Sequence, residues 1–157
     1  GKILRKSLNG KVDMPTEAQA LLFAGDRVTH ITDIIAPNLK DGKIVITGRY
    51  LYSSLAYQTS LGLSREWIEK INKYAMKPDL TLIIDVPPKV GSERVNSEGE
   101  SDRFERDLKL QKRVRNAYKH LAEEEDLPLI DGTLSKRKVH EKIKREVNQL
   151  LHADLGR

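Results

Sequence analysis

The sequence predicts an α/β fold: a parallel sheet flanked by helices. Three observations carry this. Residues 43–47 (Lys-Ile-Val-Ile-Thr), 80–86 (Leu-Thr-Leu-Ile-Ile-Asp-Val) and 127–131 (Leu-Pro-Leu-Ile-Asp) are short apolar runs closed by turn residues. These runs are continuous rather than alternating, as expected of strands covered on both faces. Segments with helical spacing stand between them, and alternating strands and helices imply parallel pairing. Three strands are few for this many helices, and the first residues offer no strand to complete the sheet.

The elements follow in order. Residues 3–8 suit a short helix ending at Asn9-Gly10. Thr16 is placed to cap a long helix with Leu21, Ala24, Val28, Ile31 and Ile35 on its apolar side. Pro37 and Asp41-Gly42 close it, and the first strand, 43–47, follows. Ser64 opens a helix over 65–75 with Trp67, Ile68, Ile71 and Tyr74 on one side, and Pro78-Asp79 breaks it. The second strand, 80–86, stops at Pro87-Pro88. Residues 91–101 are polar and read as a mobile loop. A charged helix is expected over 102–125, with Leu108, Val114, Tyr118 and Leu121 apolar. Gly132 ends the third strand, and Ser135 caps a last amphipathic helix with Val139, Ile143, Val147 and Leu151 inward.

The chain has 157 residues, enough for one domain with a real core. It contains no Cys, which excludes disulfides and thiolate metal sites. It shows neither a membrane-length apolar run nor a signal-peptide pattern, so a cytoplasmic protein without a membrane partner is expected. The net charge of +5 favours anionic partners. Bases are mixed with acids along the chain and aromatics are scarce, so nucleotides are expected rather than nucleic acid. The 32% of charged residues is compatible with a thermophilic source. His30, His120, His140 and His152 are not spaced as metal pairs and read as structural or exposed.

The run Gly48-Arg49-Tyr50-Leu51-Tyr52-Ser53-Ser54-Leu55-Ala56-Tyr57-Gln58 follows the first strand directly. It places a guanidinium, hydroxyls, phenols and an amide at a strand's carboxyl end, where open α/β sheets bind ligands. Such groups suit a phosphate and a polar ring; a plain strand-to-helix turn is the alternative.

The motifs together resemble the thymidylate kinase family. Leu21-Leu22-Phe23-Ala24-Gly25-Asp26-Arg27, then Arg49-Tyr50 with Ser53 to Gln58, then Asp102-Arg103-Phe104-Glu105 stand in the family's order and spacing. The Lys77 to Pro88 run, Ile130-Asp131-Gly132 and Val139-His140 also match, so the resemblance covers nearly the whole chain. It implies a three-layer P-loop nucleoside monophosphate kinase fold, with a parallel sheet between helices. It also implies an enzyme that transfers a phosphoryl group from ATP, with Mg²⁺, to dTMP for dTTP synthesis. A homodimer through the Thr16 helix is implied as well. No GxxxxGK[ST] occurs in the 157 residues. The family's first strand and phosphate loop are thus expected to be missing from residues 1–157, and that strand is central in the family's sheet. Its loss would expose unpaired edges, so these residues alone are expected to be neither stable nor active.

Site roles follow from the resemblance. Phe23 would stack on thymine and Arg27, one helical turn on, would bond its oxygen edge; taken alone, they read as core and surface. Arg49 would grip the dTMP phosphate with paired hydrogen bonds. Ser53 or Ser54, with Gln58, would meet the base, although either serine could instead cap a helix. Tyr57 would crowd the sugar's 2′ side and disfavour ribonucleotides. Residues 91–101 would form the lid over ATP, with Arg94, Arg103 and Arg106 near it. Arg94 and Arg103, with Arg49, are the candidate catalytic residues, supplying positive charge to the transferring group; ordinary solvated arginines are the alternative for Arg94 and Arg106. Phe104 would face the nucleoside. Glu105 could approach Mg²⁺ or serve as a helix-dipole partner, and no residue is assigned as a metal ligand.

Two departures bear on activity. Gly48 stands where the family has Asp, and Glu98 stands before Gly99 where bacterial relatives often carry an arginine. If Mg²⁺ placement depends on that Asp, turnover should fall by orders of magnitude while dTMP binding survives. The alternatives to a dTMP kinase are therefore a catalytically impaired nucleotide-binding relative or fragment, and a kinase for another nucleoside monophosphate.

Overall fold

A computed structural model describes residues 2–98, 104 and 107–155. The elements are α1 (Lys2–Leu8), α2 (Thr16–His30), a π-helical turn (Ile31–Ile35), α3 (Ala36–Lys40), α4 (Leu51–Ser60) and α5 (Arg65–Ile71). They continue with β1 (Ile83–Asp85), α6 (Pro88–Glu98), α7 (Leu108–Glu124), β2 (Leu129–Asp131) and α8 (Lys136–Leu155). The protein is a mixed α/β structure, mostly helical. Among the described residues the sheet has two parallel strands, with Ile83 beside Leu129, Ile84 beside Ile130 and Asp85 beside Asp131.

The core lies where α4 meets α7. Leu55 and Ala56 of α4 pack with Leu110, Val114 and Leu121 of α7, Ala20 of α2, Ile68 of α5 and Phe104. Positions 110, 114 and 121 share one helical face. Asp107 fixes the start of α7: its Oδ1 accepts hydrogen bonds from the Lys109 and Leu110 amides, both at 3.0 Å. Ser64 does the same for α5, accepting from the Trp67 amide as expected.

Several sequence expectations are corrected. Residues 43–47 form no strand, and Ile44 and Ile46 are 75% and 90% exposed. A strand needs a neighbouring backbone as well as apolar composition, and no described segment pairs with this one. The strands expected at 80–86 and 127–131 shorten to three residues each. Pro15, not Thr16, holds the N-cap position of α2, without a side-chain bond. The buried side of α2 is Gln19, Ala20 and Ala24, whereas Leu21 is 52% exposed and Val28 39%. Residues 91–98 belong to α6 rather than a loop, with Pro88 suited to the helix's first turn. Pro37 does not end the long helix: the Ala36 amide reaches back to the Ile31 carbonyl, and Pro37 sits in the first turn of α3. The helix at 65–75 ends at Ile71, leaving Tyr74 exposed; Leu108 and Leu151 are also exposed.

Gly132 is where β1 and the turn after β2 come closest. Its amide donates to the Asp85 carbonyl at 2.8 Å. A Cβ there would lie 2.5 Å from Val86 Cγ2, 2.7 Å from Ile84 Cγ2 and 3.2 Å from Asp85 O. Neither β-branched side chains nor backbone can yield easily. Gly132→Ala is expected to cost about 1–2 kcal/mol, seen as a lower urea midpoint at unchanged slope. An unchanged midpoint would contradict this close approach.

Candidate functional site

The turn before α4 organises the site. Arg49 has φ 69°, a left-handed conformation that non-glycine residues rarely adopt and that recurs at binding sites. Tyr50 follows as N-cap of α4 with no side-chain cap bond, and its carbonyl accepts from the Ser53 and Ser54 amides. The two serines therefore do not cap α4, and their hydroxyls serve other contacts.

Two clusters flank this turn. The first surrounds Arg27 of α2, whose Nη2 donates to Ser54 Oγ at 2.7 Å and to the Tyr50 carbonyl at 3.2 Å. Its Nη1 donates to Asn72 Oδ1, and its guanidinium stands 5.3 Å from the centre of the Tyr50 ring. Burial pulls the Arg27 guanidinium down from its ordinary value, against Tyr50 and Asp26, yet it stays charged at neutral pH. Tyr50 also accepts from the Met76 amide at 3.1 Å, which ties the segment after α5 to the same place. Phe23, one turn before Arg27, is half-buried.

The second cluster is aromatic. The Arg49 guanidinium lies 4.4 Å from the centre of the Tyr57 ring. Tyr57 meets Phe104 at 6.3 Å and Tyr118 edge-on at 6.5 Å. Gln111 Nε2 donates to the Phe104 carbonyl at 2.9 Å and to the Tyr57 hydroxyl at 3.4 Å. Burial pushes the Tyr118 phenol up, against hydrogen bonding to Ser53 and the nearby Arg49 charge. Behind Tyr57 and Tyr118 opens a cavity of about 240 Å³, bordered by Asp85, Gly91, Gln111 and Arg115.

Six expected site residues thus gather around the start of α4 and its packing against α7: Arg27, Arg49, Ser53, Ser54, Tyr57 and Phe104. Gln58 is elsewhere in character. It is 4% exposed, and its Oε1 is buried with no hydrogen-bond partner among the described residues. Arg94 donates to the Gly132 carbonyl at 2.8 Å, at the end of β2. Arg103, Glu105 and Arg106 lie outside the described residues. Sequence reasoning missed Asn72, Gln111 and the polar side of Tyr118. A signal existed for Asn72: it falls four residues after Ile68, on the buried side of α5, where an amide must find partners.

An arginine and a half-buried phenylalanine on one helix, beside a second arginine at a strained turn, can hold a flat polar ring and a phosphate together. Comparison with known proteins identifies the family. The thymidylate kinase family model matches residues 1–143. A probable thymidylate kinase of Pyrococcus abyssi is 42% identical over 142 residues, covering 90% of this chain and 69% of the relative. One from Thermococcus onnurineus is 40% identical, covering 91% of this chain and 74% of the relative. One from Methanocaldococcus jannaschii is 41% identical, covering 91% and 73%.

Proposed function

This chain belongs to the thymidylate kinase family, and we propose that the surface around the start of α4 binds dTMP for phosphorylation by ATP. Arg27 and Phe23 take the thymine ring, Arg49 the phosphate, and Tyr57 the 2′ side of the sugar. The observation that supports this most is the three-acceptor cradle around Arg27. It orients the guanidinium and leaves two of its five donors unused by those bonds.

Transfer is direct and in line. The protein positions both nucleotides and excludes water rather than forming a covalent intermediate. Arg94 and Arg103 supply positive charge, and residues 91–101 act as the lid that brings it. The fold is the three-layer P-loop arrangement of the family. When bound with ATP, Mg²⁺ would supply charge neutralisation on the phosphates. Such an ion is held by phosphates and one or two carboxylates; Gly48 contributes no carboxylate, and no residue here is assigned to the ion. The exposed apolar side chains of α2 and its continuation, Leu21, Val28 and Ile34, suit a homodimer contact. Among the described residues no helix is long and apolar enough to cross a membrane, and the reaction belongs in the cytoplasm.

Nucleoside diphosphate formation by the full-length protein, with ATP and each of dTMP, dUMP and UMP, tests the proposal. A kcat/KM for dTMP at least about 100-fold above that for UMP is expected, a ratio reached when a site crowds or leaves unpaired the wrong group. Preference for UMP would overturn the roles of Phe23, Arg27 and Tyr57.

A further inference from the structure

Asn72 ends α5 and is 5% exposed. Its Nδ2 donates to the Ile68 carbonyl at 2.8 Å, and its Oδ1 accepts from Arg27 Nη1. The chemistry of the neighbours fixes this orientation: a guanidinium only donates and a carbonyl only accepts, so a flipped amide would oppose like partners at both ends. Among uncharged side chains of this length, an amide offers a donor and an acceptor at once. Asn72 therefore works as a bracket, pinned to its own helix by the nitrogen and holding the guanidinium by the oxygen.

Ser54 and the Tyr50 carbonyl hold the other end of the same guanidinium. These two acceptors sit at the start of α4, whereas Asn72 approaches from α5. With one terminal nitrogen held from each element, the guanidinium plane is fixed rather than free to rotate about its last bonds. We propose that Asn72 is a positioning residue for substrate recognition: it sets the angle at which Arg27 presents its remaining donors to the pyrimidine oxygen edge. This rests on the reading that Arg27 meets the base. Without the bracket, Arg27 keeps its charge but must be ordered when the nucleotide binds, which lowers affinity for dTMP.

A double-mutant cycle on the full-length protein tests this, with dTMP affinity read by calorimetry and KM by turnover. Arg27→Ala is expected to weaken dTMP about 30-fold and Asn72→Leu about tenfold, whereas the double variant is no weaker than Arg27→Ala, because coupled residues are not additive. KM for dTMP should rise in Asn72→Leu while KM for ATP stays within twofold, a split that general loosening of the fold would not produce. Asn72→Asp keeps the acceptor toward Arg27 but sets a carboxylate oxygen against the Ile68 carbonyl, so it should recover only part of the Asn72→Leu loss. Additive losses in the double variant, or a KM for ATP that rises together with that for dTMP in Asn72→Leu, would overturn the role of Asn72 alone. Unchanged dTMP affinity in Arg27→Ala would instead overturn the base-site reading on which it rests.

Discussion

Arg49→Ala should lower kcat/KM for dTMP by about 100- to 1,000-fold, the cost of removing one partner from a charge-assisted phosphate contact. The side chain sits at a residue with φ 69°, against the face of Tyr57. The turn thus commits backbone strain and an aromatic surface to holding one guanidinium. Arg49→Lys keeps the charge but loses the planar fork, so it should recover only part of the loss. The adjacent glycine allows a related experiment, because a Cβ on Gly48 meets nothing within 4 Å. Gly48→Asp should therefore change stability by less than about 0.5 kcal/mol. Any change in turnover then reports the added carboxylate rather than a damaged turn. Arg49→Ala at wild-type efficiency would remove Arg49 from the phosphate site.

Arg115→Ala should destabilise the protein by about 2–3 kcal/mol at neutral pH, an intermediate cost for a partly buried ion pair broken on one side. Arg115 grips Asp85 with both carboxylate oxygens, at 2.6 and 2.8 Å, and so fastens α7 to the end of β1. Hydrogen bonding from Arg115 holds the Asp85 carboxyl below its ordinary value, against a smaller effect of burial. The sign of the pH dependence follows. A carboxyl depressed in the folded state contributes fully above its unfolded value, about 3.9, and loses that contribution as pH falls through the folded value. The stability gap between wild type and Arg115→Ala should therefore be widest at pH 6–7 and shrink below about pH 4. Urea titrations across that range would show it. A gap independent of pH would mean that the loss comes from packing of the arginine stem, not from its charge.

What could be read in the sequence was mostly local. Ser64 and the Asn9-Gly10 stop act through neighbours a few residues away, and each behaves as its residue type predicts. The clustering of Arg27, Arg49, Ser54 and Tyr57 was legible for another reason. The family resemblance implied it; spacing alone puts only Phe23 with Arg27, and Ser54 with Tyr57, about one helical turn apart. The failures share a physical cause, dependence on distant partners. Residues 43–47 have strand composition, but pairing is a property of two segments. The face of α2 that is buried depends on what α4 and α5 present, and those helices meet Ala20 and Ala24 rather than Leu21 and Val28. Asn72 falls inside the helix expected over 65–75 without a role, and only the fold brings it to Arg27, 45 positions earlier.

The most direct test of the divided site is calorimetric titration of the full-length protein, wild type and Arg49→Ala, with dTMP and with thymidine. If Arg27 and Phe23 hold the base and Arg49 the phosphate, Arg49→Ala should weaken dTMP about 100-fold, the range of a lost charge-assisted contact. Thymidine, which carries no phosphate, should bind both proteins within twofold. Equal losses for both ligands, or none for dTMP, would contradict the account.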